Sequence, residues 1–493
     1  MYEPSAHIES SDGALDGVTI CFVAIGAFGA VWPTWKKAES LADAGGHVCF
    51  VGYADVMPDA IADSRHEILA APRPHPAPTP PTPPELPGVP LVPELPAPLE
   101  WRSSRSRFRL IRAIANRTFY RVDFEVRRRK QEQNYQHQMR EEFLRYQERQ
   151  SAYEDALVGY EARLDDYRIE EQAFLDYVPP PWYTHEAHPT LIDAVVKSGA
   201  SIVHAVDLSA LDVAYEAAKL LDARLIYSME ELWVGFVNNP DHPASPEAAA
   251  GVIERERELI GEADLVTVTS DQMGERLMAM YGIERPLVIF NSPSSMVEMS
   301  RPVGSPLRLV FHGGLSRDRN IDGLIRAVGE LRDHVTLDIH GSSRTATEDE
   351  LQQLIDELDL RDVVHLRGSF AYEDVVDLLA SYDIGVMSAK IVDDNFDVAL
   401  PTKVLDCMCS GLAIAMTDSS AVRAILEEVP FGITVDASSP ASIAKDLEQL
   451  VRDPDRIAAM KAAAVEAAPR YWWPEQEQKL LEAVYSLKHP SSA

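Results

Sequence analysis

Twice along this chain, short runs of apolar residues alternate with amphipathic helical stretches, and that alternation leaves few folds open. The first series opens with VTICFVAIGAFGA, a strand running into a glycine-bearing loop. It continues with PTWKKAESLADAGGHVCFVGY, a helix, a Gly45-Gly46 stop and a second strand. Strands lacking polar alternation are covered on both faces, which predicts a parallel sheet flanked by helices. The pattern breaks near residue 71 and resumes with GASIVHAVD, LDVAYEAAKLLDA and RLIYSMEEL. A second series starts after about residue 298 and runs from LRLVFHGG through VTLDIHG, VVHLRG and DIGVMSA to LAIAMTD. Two successive doubly wound halves predict an α/β chain of two Rossmann-like lobes facing a cleft, with ligands beyond the carboxyl ends of the strands. A length of 493 residues agrees, since it exceeds what one core supports.

The interruption over residues 71–180 has its own chemistry. It begins with the proline-rich APRPHPAPTPPTPPELPGVPLVPELPAP, predicted to be extended. Residues 101–130 then carry eleven basic and two acidic side chains. Leu110, Ile111, Ile114, Thr118, Phe119 and Val122 share one helical face there. From Met139 to Phe174, apolar and tyrosine residues recur in alternating steps of three and four, broken only by Gln150 and Glu171. That register is heptad-like and predicts a helical or coiled-coil insertion. One arrangement is a hairpin of residues 104–130 against the helix that follows. A homodimer contact, docking on the acidic body of the protein, or peripheral membrane contact through residues 104–130 are the other readings.

Net charge narrows the partners. Lys and Arg total 46 against 78 Asp and Glu, a formal charge of -32, which disfavours nucleic acid. The longest apolar runs are strand-length and cannot span a bilayer. The first residues have neither a basic start nor an apolar core, so no signal peptide is expected. Four cysteines (Cys21, Cys49, Cys407 and Cys409) suggest neither a disulfide framework nor a metal site. A cytoplasmic setting is expected, with peripheral contact at the inner membrane face left open.

The densest chemistry lies in NFDVALPTKVLDCMCSGLAIAMTD, residues 395–418. A proline-led loop enters a short helix whose first amides suit a diphosphate. Lys403 adds full charge in the first turn, and Asp406 follows one turn on. In FHGGLSRDRNIDGLI a strand ends at Gly313 and Gly314, with Arg317 and Arg319 before the next helix. Glycine lets backbone approach a ligand, and arginine suits phosphate.

Together these segments resemble glycosyltransferase family four, in the branch with a Leu-Pro-x-Lys-x-x-Glu/Asp donor helix. The resemblance covers most of the chain outside residues 71–180. It implies the two-lobed GT-B fold and transfer of a sugar from a UDP- or GDP-linked donor with retained configuration, needing no metal and no further cofactor. Gly313 and Gly314 match the family's glycine loop, Arg319 its basic residue and Lys403 its lysine. Asp406 stands where the ribose-binding Glu usually sits. By resemblance, Asn395 or Asp397 meets donor-sugar hydroxyls, Gly368 and Ser369 lie in the loop that holds the base, and Arg317 joins the donor site. In the first lobe, SIVHAVD and YSMEEL resemble the acceptor-side segments, placing Gly26, Gly29, Asp207 and Glu230 on the acceptor side and Glu231 with Arg319 and Lys403 among the catalytic residues. YWWPEQEQKLLEAVYSL resembles the helix that crosses back to the first lobe. The implied division is a tail over 1–16, a first lobe over 17–70 and 181–297, the insertion, a second lobe over 298–470 and the returning helix over 471–493. His204, His340 and His365 read as packing residues.

Four positions depart from the family. Val398 stands in place of its first acid, Val206 and Glu230 in place of two histidines, and Gly314 in place of an arginine. A non-catalytic GT-B protein serving as a binding or assembly subunit is therefore the alternative reading.

Overall fold

The computed structural model describes residues 13–25, 31–53, 65–71, 117–176, 184–185, 188–233, 246–342 and 347–489. Residues 76–178 and the remainder of the chain are two separate compact units. The larger unit holds two all-parallel sheets. In the first, β1 (Thr19–Val23), β2 (His47–Tyr53), β3 (Glu67–Ala71), β4 (Ile202–Val206), β5 (Arg224–Met229), β6 (Leu265–Val268) and β7 (Leu287–Val288) take the order 3-2-1-4-5-6-7. In the second, β8 (Leu307–His312), β9 (Val335–His340), β10 (Val364–Gly368), β11 (Ile384–Met387), β12 (Ala413–Thr417) and β13 (Gly432–Val435) take the order 10-9-8-11-12-13. Each order reverses once, between β1 and β4 and between β8 and β11, and such a reversal opens a crevice at the carboxyl ends.

The central strands are largely apolar because helices cover both faces. Ile20, Cys21, Phe22 and Val23 of β1 are all fully buried, alternately in two core clusters on opposite sides of the sheet. The helix Trp473–Lys488 closes one of those clusters. Its Trp473, Leu480, Leu481 and Val484 pack with Leu15, Ile20 and Phe22, and the Trp473 indole donates to Ser40 Oγ at 3.1 Å.

One buried charge network pins the second lobe. Asp383, fully buried at the start of β11, accepts the Arg308 amide at 3.0 Å and its guanidinium at 2.9 Å, and the Lys461 amine at 3.2 Å. Burial alone would raise this carboxyl. The bonds from Arg308, with Lys461 beside it, instead hold it below its usual range. The network links β8, β11 and the helix Pro454–Tyr471.

In the smaller unit, Arg117–Asp176 is one helix of 60 residues. At 1.5 Å per residue it is ~90 Å long. The expected hairpin is corrected here: residues 104–116 lie outside the described residues, and residues 117–130 run on into the next stretch. The reason is local. Between 117 and 176 there is no proline and a single glycine, Gly159, so nothing breaks the ladder. Among the described residues no helix is long and apolar enough to cross a membrane.

Asp383→Ala should leave Lys461 buried without its counter-charge. We expect a loss of about 3–5 kcal/mol in the second lobe, seen as an earlier denaturant transition of that lobe. An unchanged transition would show that the network is dispensable.

Candidate active site

β8 delivers His312 to the carboxyl edge of the second sheet, and the chain then turns through Gly313 at φ +120. Two close approaches require glycine here. A Cβ on Gly313 would meet Lys403 Cε at 2.6 Å and Nζ at 2.7 Å, and one on Gly341 would meet the Gly313 carbonyl at 2.0 Å. The Lys403 stem thus crosses the backbone of the β8 loop. Gly314 is exposed, with open space where a Cβ would be.

Lys403 lies in the first turn of the helix Thr402–Cys409, which Pro401 enters without a side-chain cap. Its first amides have no carbonyl four residues back to accept them. Burial, together with the positive charge of Arg319, pushes the Lys403 amine down to about 8, although Asp406 opposes this. Arg319 ends a 3-10 turn, Arg317–Arg319, and its guanidinium lies 5.3 Å from the centre of the Phe396 ring and 3.5 Å from Asp318. Two cations thus converge on one strand end. The side chain of Arg317 lies outside the described residues, as do Gly26 and Gly29.

Asp406 is not presented to solvent. It is 1% exposed, with Oδ2 3.0 Å from His312 Nε2 and Oδ1 accepting the Tyr372 hydroxyl at 2.7 Å. Behind it stands Lys36 of the first-lobe helix Val31–Asp43. This lysine donates to the Ser292 carbonyl, and its Nζ lies 5.4 Å from the Tyr372 ring and 5.5 Å from the Trp473 ring. Burial lowers its amine to about 8, with Asp406 pulling the other way.

The first lobe offers carboxylates. Asp207, at the end of β4, takes a left-handed backbone (φ 60) and its Oδ1 accepts the amides of Glu230 at 2.8 Å and Glu231 at 3.2 Å. Burial, then the neighbouring Glu230, pushes Asp207 up to about 8. Glu230 is ion-paired with the buried Lys37 and accepts Asn291 at 2.8 Å. Glu231 accepts from Asn395 of the second lobe, and burial raises its carboxyl.

Asn395 therefore faces the other lobe, since its Oδ1 also accepts the Leu232 amide at 2.7 Å. Asp397 is engaged by Ser420, whose amide donates at 2.9 Å and whose hydroxyl also reaches it. Val398 packs in the first lobe's core, and its carbonyl accepts Ser270 Oγ at 2.5 Å. Gly368, in left-handed backbone at φ +71, and Ser369 are exposed at the end of β10. Lys403, Arg319, Gly313 and Asp406 thus gather at one strand end. Asp207, Glu230, Glu231 and Asn395 gather across the lobe contact.

The three histidines have structural partners. His204 is fully buried against Phe22 and Ser228, His340 meets Tyr382 at 2.9 Å, and His365 meets Asp338 at 2.8 Å. The sequence reading missed His312, Tyr372, Lys36 and Lys37. His312 was visible as the last residue of a strand before two glycines. The lysines look like helix surface in sequence, because their partners lie hundreds of positions away. Among the described residues, His185, Asp212 and Glu216 could bring ligand atoms within 4.8 Å of one another. Arg255 already donates to Asp212 at 2.5 Å, so a guanidinium balances that carboxylate.

Two doubly wound parallel lobes with the site at their facing edges make this a GT-B protein. Three solved structures share the fold over nearly the whole of both chains. They are a sucrose-phosphate synthase from Thermosynechococcus elongatus (TM-score 0.61, 13% identity, 96% of this chain and 100% of that one), Anabaena HepE with UDP and glucose (0.60, 13%, 95% and 100%) and a Rickettsia africae glycosyltransferase (0.59, 12%, 96% and 99%). Residues 306–453 match the family Glycosyl transferases group 1, so the second lobe carries that domain. D-inositol 3-phosphate glycosyltransferase 1 of Catenulispora acidiphila is 24% identical over 53% of this chain, and its Streptomyces bingchenggensis counterpart 25% over 46%. The matches span 66% and 54% of those relatives' lengths, less than two thirds of each.

Asp207 supplies a pH test. Its folded pKa, about 8, exceeds the usual carboxylate value, so the folded state holds this proton more tightly than the unfolded chain. Stability from this group is present at low pH and lost as pH rises towards 8. Asn keeps the carbonyl oxygen that accepts both amides and tolerates left-handed backbone. Asp207→Asn should therefore gain melting temperature over the parent, with a gap that widens from pH 5 to pH 8. A gap independent of pH would refute the assignment.

Proposed function

We propose that this chain is a retaining glycosyltransferase that moves a sugar from a UDP- or GDP-linked donor to an acceptor hydroxyl, without a metal. The observation that carries this reading is Lys403 lying across Gly313 beside Arg319, at the end of β8 in the group 1 domain. A departing diphosphate develops negative charge, and in this reading the two cations and the helix N-terminus stabilise it. The UDP and glucose bound in the Anabaena structure support a nucleotide-sugar donor, and the names of the curated relatives support glycosyl transfer. In this reading Gly313, Gly314, Gly368 and Ser369 face the nucleotide. The carboxyl groups of Asp207, Glu230 and Glu231 serve the acceptor, which is a glycan, a lipid-linked molecule or a small molecule. The enzyme acts in the cytosol.

Asp406 binds the ribose once Tyr372 yields its hydrogen bond. Tyr372→Phe should then strengthen binding of the free nucleoside diphosphate and Asp406→Ala should weaken it, both read by calorimetry. Equal affinities across the series would remove Asp406 from the site.

A second reading has its own observation. Val206 and Glu230 stand where the resembled family has two histidines, and Glu230 is ion-paired with the buried Lys37, which suits a protein that binds without catalysing. Incubation with UDP- and GDP-sugars separates the two: free diphosphate accumulates with the enzyme, whereas binding without turnover marks the alternative. For the enzyme, Lys403→Ala and Arg319→Ala should each lower turnover by about a hundredfold, as expected for loss of one charge partner of the leaving group. Full activity in either variant would sink the assignment.

Nucleotide affinity should also depend on pH. An incoming diphosphate favours the charged Lys403 amine, which in the free protein loses its proton near pH 8. Affinity is expected to hold below pH 8 and to fall above it, by up to about tenfold per pH unit. Calorimetry in buffers of different ionisation heat should show proton uptake at pH 9, abolished in Lys403→Met. Affinity that stays flat from pH 7 to 9.5 would contradict this.

A further inference from the structure

The 60-residue helix Arg117–Asp176 has an unusual division of charge. Residues 127–151 carry seven basic and four acidic side chains, whereas residues 152–176 carry two basic and eight acidic ones. Its seam is also only partly covered. Met139, Tyr153, Leu157, Tyr160 and Leu164 are half-buried, and Phe143 is 57% exposed.

We propose that two copies of this chain associate through this helix in antiparallel order, with Gln150 opposite Tyr153 of the partner subunit. The inference is independent of the glycosyl-transfer reading. Assigning Phe143, Gln150, Leu157 and Leu164 to heptad position a, and Met139, Tyr146, Tyr153 and Tyr160 to d, sets the layers. Phe143 then faces Tyr160 of the partner subunit, Tyr146 faces the partner's Leu157, and Met139 faces the partner's Leu164. Every apolar a residue of the central seam meets an apolar or aromatic d residue. The same register lays residues 127–151 along the partner's residues 152–176, so the basic half meets the acidic half. The overlap is ~75 Å long at 1.5 Å per residue.

Flanking charges choose the direction. Reversing one helix sets g beside g and e beside e. Glu142 (g) then meets Arg163 of the partner subunit, and Arg140 (e) meets the partner's Glu161. Each contact occurs twice by symmetry, and no e or g position in the overlap faces its own sign. Glu142 accepts Arg145 within its own helix through Oε1 at 3.1 Å, which leaves Oε2 for the partner. In a parallel pair, Arg163 would face Arg168 of the partner subunit twice. The seam would then also set Arg129, Glu132 and Glu171 each against its own copy. The antiparallel seam has one like-charged kind of layer, Glu132 against the partner's Glu171, near its ends.

The chain's own cysteines are all buried, so engineered thiols can report on direction. Phe143→Cys and Tyr160→Cys are 17 positions apart, ~26 Å along the helix, whereas a disulfide needs Cα atoms within about 7 Å. Coexpressed full-length F143C and Y160C chains should give roughly tenfold more disulfide-linked dimer than either alone, because only the mixed pair is in reach. Light scattering of the parent protein should give twice the chain mass, and Leu157→Glu should return it to the monomer. Strong cross-linking of either variant alone would overturn the antiparallel order. A monomeric parent protein would overturn the association, whether the helix face then binds liposomes or packs within its own chain.

Discussion

Where Lys403 crosses the loop after β8, a Cβ on Gly313 would lie 2.6 Å from its Cε, so the amine reaches the sheet edge only because that position lacks a side chain. Much follows from this approach. It sets Lys403 beside Arg319 and above Asp406, where burial and like charge lower its proton affinity. Gly341 packs against the same loop, since a Cβ there would lie 2.0 Å from the Gly313 carbonyl. Two strand ends therefore lie against each other where the two cations converge, and the proposed function takes that edge as the seat of the departing diphosphate. A preorganised seat matters because the protein need not rearrange as charge develops.

Across the lobe contact the balance of charge reverses. Asp207, Glu230 and Glu231 crowd together, and the buried Lys37 pairs with one of them. The lobes are joined where this cluster meets Asn395, and where Val398 enters the first lobe's core. A valine at that position gives the second lobe an apolar anchor at a point where the resembled family has a carboxylate. That valine adds an apolar contact between the lobes. On the cationic side Asp406 is buried and held by His312 and Tyr372.

The helical unit answers to a different physics. Its length comes from the absence of breakers, and its face comes from a repeat near 3.5 residues. Tyrosine suits the proposed seam, since it combines a large apolar ring with a hydroxyl that can stay wet. Its uneven charge is the feature on which the proposed antiparallel pairing rests.

Both lobes were legible in the sequence because parallel strands covered on two faces must be apolar throughout, and LVTVTS or LRLVFH cannot be read as surface. The Gly-Gly turn, Arg319 and Lys403 were legible as well, since phosphate chemistry draws on few residue types. Asp406 was legible in position but not in state. Its burial depends on His312, 94 positions earlier, and Tyr372, 34 earlier, and no local pattern reports such partners. Lys36 and Lys37 look like the wet face of a helix, yet the structure turns them towards Ser292 and Glu230. The sequence by itself determined the alternation of elements, the helical character of residues 139–174 and the kinds of charge in the cleft, because each is encoded within a few neighbouring positions. Only the tertiary structure decided which of those charges are paired, buried or held apart, because that depends on distances between segments that the fold alone brings together.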